Sequence, residues 1–299
     1  MAFLEMGRLV RLVSIGFSQR SLGEVVALAR REASWGCDLI LLPETWRGNT
    51  TESLKGESIT AMAEVCQEFG IYIVCPIWRG DSEGRRWNSA VVLGRQGEVV
   101  GVYDKVYPYW AEFDLQPPCT PGSDIPVFET DFGRLGIAIC FDVNFPEIWQ
   151  ILADKGAELV VWPSAYSAGT SLQAHALNYH YYIVTATHSC DCLAYDITGK
   201  ELHSESKRPV NVSRLTVDLD RGLYHQNFNL DKLEKLLAEQ GSAVELELSL
   251  EKEQWFVLRT KQAGVSAREL AKRYGLEELR DYLARSRREI NKRRNDALK

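Results

Sequence analysis

The sequence has few of the residues that would assign it to several common protein classes. Only five of its 299 residues are histidine, and none stands at metal-ligand spacing from a cysteine. The seven cysteines form no C-x-x-C pair and their number is odd, so neither a zinc site nor a disulfide framework is expected. A reducing, cytoplasmic compartment fits this pattern, and no metal or other cofactor is predicted.

Long apolar segments and an excess of positive charge are also missing. No run approaches 18 consecutive apolar residues, and Arg8 and Arg11 interrupt the short apolar runs near the N-terminus. Neither a membrane span nor a signal peptide is therefore predicted. A net charge of −6 gives no general attraction to nucleic acid or to membranes. With 45% apolar and 25% charged residues, the composition is that of a globular protein with one or two domains.

Strand and helix patterns alternate along the first 225 residues, which is typical of an α/β fold. Residues 9–14 predict a strand, and the capping box Ser21-x-x-Glu24 predicts the start of a helix that Gly36 ends. Residues 38–42 form a continuous apolar run, as buried parallel strands do. The same order of elements then repeats along the chain.

Two segments of the chain match each other in residue type, position by position. They are Gly36–Glu44 and Gly156–Ser164. Two similar halves indicate two sheets packed face to face with helices outside, while chance similarity between buried strands is the alternative. Residues 88–93 and 98–104 predict a hairpin between the halves.

The composition changes after about residue 225, so we predict a domain at 1–225 and a C-terminal extension at 226–299. Ala243–Leu250 alternates apolar and polar residues, which favours an edge strand, and Ser266 opens a second capping box. One face of the following helix is apolar: Leu276, Leu279, Leu283 and Ile290. We expect this face to pack on the core or on a partner subunit. The last turns are basic, which favours a solvated helix end over a nucleic-acid site.

Three chemically active residues stand where predicted strands end. Glu44 follows Pro43 after a buried strand, Lys105 ends the second arm of the hairpin, and Cys140 ends the strand predicted at 134–140. Ligand and catalytic sites of open α/β sheets form at such ends. Each residue also has a plain interpretation, as a core cysteine, a solvated glutamate or a surface lysine, and only their combination indicates a site.

Cys140 is the candidate nucleophile. It lies between a strand and a turn that leads to a helix beginning near Pro146, an arrangement that exposes a side chain beside free main-chain N–H groups. A thiol needs a base or a positive neighbour to become a thiolate. No histidine has a comparable position, so a carboxylate is the candidate base and a lysine the candidate oxyanion stabiliser.

Several blocks around these residues resemble the nitrilase (carbon–nitrogen hydrolase) superfamily, over about residues 9–220. Three signature blocks carry the resemblance: L-L-P-E-T at 41–45, G-V-Y-D-K-V at 101–106 and G-I-A-I-C-F-D-V-N-F-P-E at 136–147. The flanking segments are similar too: 88–101, T-P-G at 120–122 and 127–136.

The resemblance implies a four-layer α-β-β-α sandwich with a helical C-terminal extension, assembled as a homodimer or a higher homo-oligomer. It implies a catalytic triad of Glu44, Lys105 and Cys140, without a cofactor. Members of the family carry a second glutamate shortly after the lysine, and Glu112 is the best match. The main-chain N–H of Phe141 is implied as an oxyanion donor.

The residues that follow Cys140 indicate which reaction of the family to expect. Many amidase-like members have tyrosine where this chain has Phe141, and the nitrile-cleaving branch usually has Trp-Glu where this chain has Phe141-Asp142. We therefore expect hydrolysis of a small linear amide or N-carbamoyl compound through a cysteine thioester. The alternatives are nitrile hydrolysis by the same triad and a binding or regulatory subunit on the same scaffold. Further candidates for substrate binding are Tyr109, Trp110, Phe145, Ser164 and Tyr166.

Overall fold

The chain forms two compact units in a computed structural model that describes residues 6–297. The larger unit is Val10–Val217. Within the described residues, the smaller unit combines residues 218–297 with residues 6–9. The domain boundary predicted at residue 225 from composition stays a prediction.

The larger unit alternates strands and helices, as the sequence pattern predicts. Its strands are β1 (Leu9–Phe17), β2 (Leu39–Leu41), β3 (Thr51–Glu52), β4 (Tyr72–Gly80), β5 (Arg86–Leu93), β6 (Val99–Asp104), β7 (Val127–Glu129), β8 (Arg134–Ile137), β9 (Leu159–Ser164), β10 (Tyr182–Thr187), β11 (Asp191–Tyr195), β12 (Glu201–Ser206) and β13 (Val210–Asp218). Its helices are α1 (Leu22–Ala33), α2 (Glu57–Phe69), α3 (Pro146–Asp154) and α4 (Gly169–Tyr179). Short 3₁₀ turns cover Trp110–Asp114 and Cys140–Asn144.

These strands form two sheets that pack face to face. The first has the order β13-β1-β2-β4-β5-β6, with β3 paired to β4, and the second has the order β12-β11-β10-β9-β8-β7. The central strands β1, β2 and β4 are parallel, as are β8, β9 and β10. Between the sheets, the Ser14 hydroxyl donates to the Thr185 carbonyl oxygen and the Cys192 thiol lies 3.6 Å from the Ser14 carbonyl oxygen.

Helices cover the outer face of each sheet, which confirms the predicted four-layer sandwich. Helices α1 and α2 bury residues such as Val25 and Met62 against the first sheet, and α3 and α4 bury Trp149 and Leu172 against the second. The capping box of α1 is confirmed. The Ser21 hydroxyl accepts the Glu24 N–H at 3.4 Å, and the Glu24 carboxylate accepts the Ser21 N–H at 3.0 Å.

The smaller unit has its own sheet and core. Its elements are β14 (Gly222–His225), α5 (Leu230–Gln240), β15 (Val244–Leu250), β16 (Trp255–Thr260), α6 (Ala267–Arg273) and α7 (Leu279–Ala297). The sheet order β14-β16-β15 confirms the predicted edge strand and adds two strands that the sequence pattern did not predict. The extension is therefore mixed α/β rather than helical alone, because its core is built on buried β16 residues such as Phe256 and Leu258.

The apolar face predicted for the last helix is only partly buried. Leu276 packs into the core of the smaller unit, whereas Leu283 and Ile290 are 45% and 55% exposed. The prediction that this face packs on another surface stays a prediction. Among residues 6–297, no helix is long and apolar enough to cross a membrane.

Candidate active site

The predicted nucleophile lies just beyond a strand rather than at its end. Strand β8 ends at Ile137, and Cys140 opens the following 3₁₀ turn with a φ of 48°. This left-handed conformation is uncommon for a residue with a side chain and costs free energy. The carboxylate of Asp142 bends the chain here because it accepts the Ile139 N–H at 2.8 Å. The prediction of a strand over the whole of 134–140 is therefore wrong in its last residues.

Lys105, Glu44 and Glu112 meet in one buried cluster. The Lys105 ammonium donates to Glu44 Oε1 and to Glu112 Oε2, both at 2.9 Å. The Asn88 amide donates to Glu44 Oε1 at 2.6 Å and to Glu112 Oε1 at 2.7 Å. An ammonium has three donors, so one donor of Lys105 is left over after these two contacts.

The second oxygen of Glu44 faces the other sheet. Glu44 Oε2 accepts the Ala165 N–H at 2.8 Å, directly after β9. The two segments that match each other in sequence thus end at the same place, since one ends at Glu44 and the other at Ser164, the residue before Ala165. The Tyr166 N–H donates to the Ser164 hydroxyl at 3.0 Å, which shapes the turn beyond β9.

Cys140 lies beside this cluster and is itself buried. Its thiol interacts with the charges of Glu44 and Lys105 and with the Ser164 hydroxyl. The Trp162 indole donates to the Cys140 carbonyl oxygen at 3.1 Å, which holds the main chain of the turn. Within residues 6–297, the Phe141 N–H donates to no protein acceptor, so this group is available to a substrate oxygen.

The charges of the cluster favour an ionised glutamate beside a protonated thiol. Burial alone would raise the pKa of Glu44, but the charge of Lys105 and the surrounding hydrogen bonds hold it below its ordinary value. Burial and the Glu44 charge raise the pKa of Cys140 to about 12. Burial opposes the charged form of Lys105, yet the carboxylates raise its pKa. At neutral pH, the thiol therefore keeps its proton and Glu44 is able to accept it.

Asn88 and Asp142 are site residues that the sequence analysis did not assign. Asp142 is fully buried and accepts three hydrogen bonds, from Ile139 N–H, from Tyr107 N–H at 3.0 Å and from the Tyr103 hydroxyl at 2.7 Å. Both residues lie inside blocks that resemble the nitrilase superfamily. A buried polar residue next to an assigned catalytic residue is the signal that would have identified them.

A close main-chain contact fixes the position of Lys105. The Gly122 N–H donates to the Lys105 carbonyl oxygen at 2.8 Å. A Cβ at position 122 would lie only 2.1 Å from the Asp104 carbonyl oxygen, so only glycine fits there. The T-P-G segment at 120–122 therefore positions the lysine.

The predicted aromatic residues divide into separate groups. Phe141 packs edge-on against both Tyr109 and Phe145, with ring centres 5.5 and 5.6 Å apart. Tyr166 packs edge-on against Trp162 at 5.6 Å. Trp110 is 76% exposed and pairs with Phe113, apart from the other aromatic residues. The geometry therefore brings Tyr109 and Phe145 to the nucleophile turn through Phe141 and gives Trp110 no such contact.

Metal-ligand geometry is absent from the part of the chain that the structure describes. Within it, no group of three or more His, Cys, Asp or Glu side chains is arranged to hold a metal ion. The charged side chains around Cys140 instead contact one another.

Comparison with known proteins identifies the family. The family model for carbon–nitrogen hydrolases matches residues 19–222, which is more than half of the chain. The chain belongs to the carbon–nitrogen hydrolase family. This membership makes it a hydrolase of carbon–nitrogen bonds.

The relatives of this carbon–nitrogen hydrolase include omega-amidases. Omega-amidase NIT2 of Xenopus tropicalis is 26% identical over 204 residues, which cover 61% of this chain and 74% of the relative. Omega-amidase NIT2 of Homo sapiens is 23% identical over 249 residues, which cover 76% of this chain and 90% of the relative.

Solved structures show the same fold as this hydrolase. Nit3 of Saccharomyces cerevisiae, a member of branch 10 of the nitrilase superfamily, aligns with a TM-score of 0.64 at 16% identity, covering 83% of this chain and 97% of that one. An amidase from Nesterenkonia sp. AN1, with acrylamide added at its active-site cysteine, aligns with a TM-score of 0.61 at 23% identity, covering 70% and 92%. The nitrilase-superfamily fold inferred from the sequence is confirmed.

Proposed function

We propose that the protein hydrolyses a small linear amide or N-carbamoyl compound through a thioester on Cys140. The observation that carries the proposal is the buried contact of Lys105 with Glu44 and Glu112 beside that thiol. Such a constellation supplies a nucleophile, a base and an oxyanion donor without a cofactor. The similarity to omega-amidases supports an amide as substrate.

In the acylation step, Glu44 removes the thiol proton as sulfur attacks the carbonyl carbon. The high pKa of the thiol requires this transfer to accompany attack, since little thiolate exists beforehand. The remaining donor of Lys105 and the Phe141 N–H stabilise the oxyanion. The intermediate then collapses, the carbon–nitrogen bond breaks, and the nitrogen leaves with the proton from Glu44.

In the second step, water hydrolyses the thioester. Glu44 accepts a proton from the water as it attacks, and the acyl group leaves as an acid while the proton returns to sulfur. Glu112 has a supporting role because it accepts hydrogen bonds from Lys105 and Asn88 and thereby fixes both groups that hold Glu44. The Glu44 carboxylate thus serves in both half-reactions.

The aromatic residues next to the turn support a substrate with an apolar part. Tyr109, Phe145 and Tyr166 lie close to Phe141 or to the segment after β9, and Ser164 borders the thiol. We assign these residues to substrate binding and leave the exposed Trp110 outside that role. We also propose that the enzyme is a cytoplasmic homo-oligomer.

An activity screen with matched variants tests the proposed function. Paired amides, N-carbamoyl amino acids and nitriles are offered to the wild type, to Cys140→Ala and to Glu44→Gln, and products are identified. We expect turnover of an amide or carbamoyl compound and loss of nearly all turnover in both Cys140→Ala and Glu44→Gln. Any acyl adduct that intact-mass spectrometry finds in the slow Glu44→Gln variant should lie on Cys140. Cys192→Ala, which changes a thiol between the sheets, is the control and should stay active.

Four outcomes would contradict the proposal. Wild-type turnover in Cys140→Ala would show that Cys140 is not the nucleophile. An adduct that maps to another cysteine would assign that role to the other residue. Conversion of nitriles but not amides would favour the nitrile-cleaving alternative. Failure of Cys140 to react with iodoacetamide in the folded protein would favour a binding subunit instead.

A further inference from the structure

His188 makes contacts that the proposed chemistry does not use. It follows β10, and its main-chain N–H donates to the Ser164 carbonyl oxygen at 3.0 Å. Its ring Nε2 lies 2.5 Å from the Glu44 carbonyl oxygen. One residue therefore joins the segment that carries the base to the segment that borders the nucleophile.

The main chain that His188 contacts is strained. Thr45, the residue after Glu44, has a φ of 37°, in the left-handed region that a β-branched residue rarely adopts. The Gly48 N–H closes this turn by donating to the Thr45 carbonyl oxygen at 2.9 Å. Such strain persists only where surrounding contacts hold it. The hydrogen bond to the Glu44 carbonyl oxygen is one of those contacts, at the residue whose carboxylate must be held in place.

We propose that His188 is a positioning residue that holds the Glu44 main chain, so that its carboxylate stays within reach of the Cys140 thiol. The proposal rests on the function given above for Glu44 and Cys140. A carbonyl oxygen only accepts, so Nε2 must carry a hydrogen and donate it. Small displacements of a catalytic group cost large factors in rate, of about 10²-fold for 1 Å.

The amide side chains provide a graded test of this hydrogen bond. Glutamine places an amide nitrogen close to the position of histidine Nε2, whereas asparagine is too short to reach the Glu44 carbonyl oxygen. We expect His188→Asn and His188→Ala to lower kcat by about 10²-fold with KM little changed. His188→Gln should recover most of the loss. His180→Asn is the control, because His180 contacts the Ile197 carbonyl oxygen and has a φ of 55° that asparagine tolerates.

A second readout does not depend on the substrate. The rate at which iodoacetamide alkylates Cys140 depends on a base next to the thiol, so it should fall in His188→Asn and recover in His188→Gln. If the wild type turned over no amide, the proposed function would fail while the alkylation rates still tested His188.

The proposal is overturned by any of three results in variants whose thermal unfolding matches the wild type. One is a wild-type kcat in His188→Asn, and another is a His188→Gln variant as slow as His188→Asn. The third is a change confined to KM, because that result would assign His188 to substrate binding rather than to the positioning of Glu44.

Discussion

At the scale of single residues, the site depends on which side-chain atoms remain free. Lys105 uses two of its three donors on carboxylates, and the Phe141 main-chain N–H has no acceptor among the described residues. These two groups together can bind an oxyanion beside the thiol. The sequence identified these residues as candidates, and the number of free donors depends on contacts that only the folded chain defines.

Substitution of Lys105 tests its role as an oxyanion donor. We expect Lys105→Ala to lower kcat/KM by at least about 10²–10³-fold, the usual effect of removing one such donor. The loss of kcat/KM should be larger than this if Glu44 and Glu112, which then lack the lysine between them, also change position. Lys155→Ala is the control, since the Lys155 ammonium donates to Asp124 and to the Ile125 carbonyl oxygen near the end of α3, away from the site cluster. Values of kcat/KM within about threefold of the wild type in Lys105→Ala would contradict the role.

The pH dependence of activity should follow Asp142. Burial raises the pKa of Asp142 to about 6, while the pKa of Glu44 lies below its ordinary value of 4.5. A proton on the Asp142 carboxylate competes with the Ile139 N–H for the oxygen that accepts this N–H, next to the turn that carries Cys140. We therefore expect kcat/KM to be full well above pH 6, half-maximal at about pH 6, and lost as the pH drops further.

Asp142→Asn provides the test of this assignment. Asparagine does not titrate, so the variant should lose the fall near pH 6 and keep a lower but flatter profile. Kinetics from pH 4.5 to 9 on the substrate from the screen would measure both profiles. If kcat/KM of the wild type stays constant down to pH 4.5, Asp142 does not control the activity, and a fall at still lower pH would be assigned to Glu44.

At the scale of helices and strands, local sequence patterns predicted that an element exists better than they predicted the residue at which it ends. The capping residues of α1 appear where the sequence predicts them, because caps are local interactions. The end of β8 was misplaced because the apolar run continues to Cys140, while Asp142 bends the chain earlier. Strands β14 and β16 were missed because their pairing joins residues far apart in the sequence.

The cap of α1 should contribute to stability without affecting catalysis. Ser21→Ala removes the hydroxyl that accepts the Glu24 N–H, keeps the main-chain N–H that donates to the Glu24 carboxylate, and should lower the free energy of unfolding by about 1 kcal/mol. Ser34→Ala, at the other end of the same helix, removes only a contact with the Arg31 carbonyl oxygen and should change it by less than about 0.5 kcal/mol. Urea unfolding and kcat together would measure this. A loss of kcat in Ser21→Ala would contradict the assignment of α1 to the outer layer alone.

At the scale of the whole molecule, the sandwich was predictable and the smaller unit was not. The two sheets follow from repeated strand–helix–strand patterns and from the resemblance of three blocks in order. The smaller unit has no such resemblance, and its core combines residues from strands and helices that are weakly patterned, such as Phe256 and Leu270. Its last helix also presents Leu283 and Ile290 to solvent.

Removal of residues 279–297 tests whether α7 contributes to assembly. Leu283 and Ile290 lie on one face and are not buried within the described chain, so we expect their removal to yield a smaller oligomer or aggregation. The double variant Leu283→Glu/Ile290→Glu should act alike, and Arg288→Glu on another face is the control. Unchanged mass by light scattering, with unchanged solubility, would count against a role in assembly.

Because of where its cysteines lie, local opening of the larger unit can be measured by the labelling of its thiols. All seven cysteines lie between Cys37 and Cys192, and all are buried. Burial raises the pKa of Cys66 and Cys75 above the ordinary value, so these thiols should react with alkylating reagents only when the sandwich opens. Mass-resolved labelling over time would then give opening free energies at α2 through Cys66, in the first sheet through Cys75 and in the second sheet through Cys192. The smaller unit, which has no thiol, would contribute no labelled sites to that measurement.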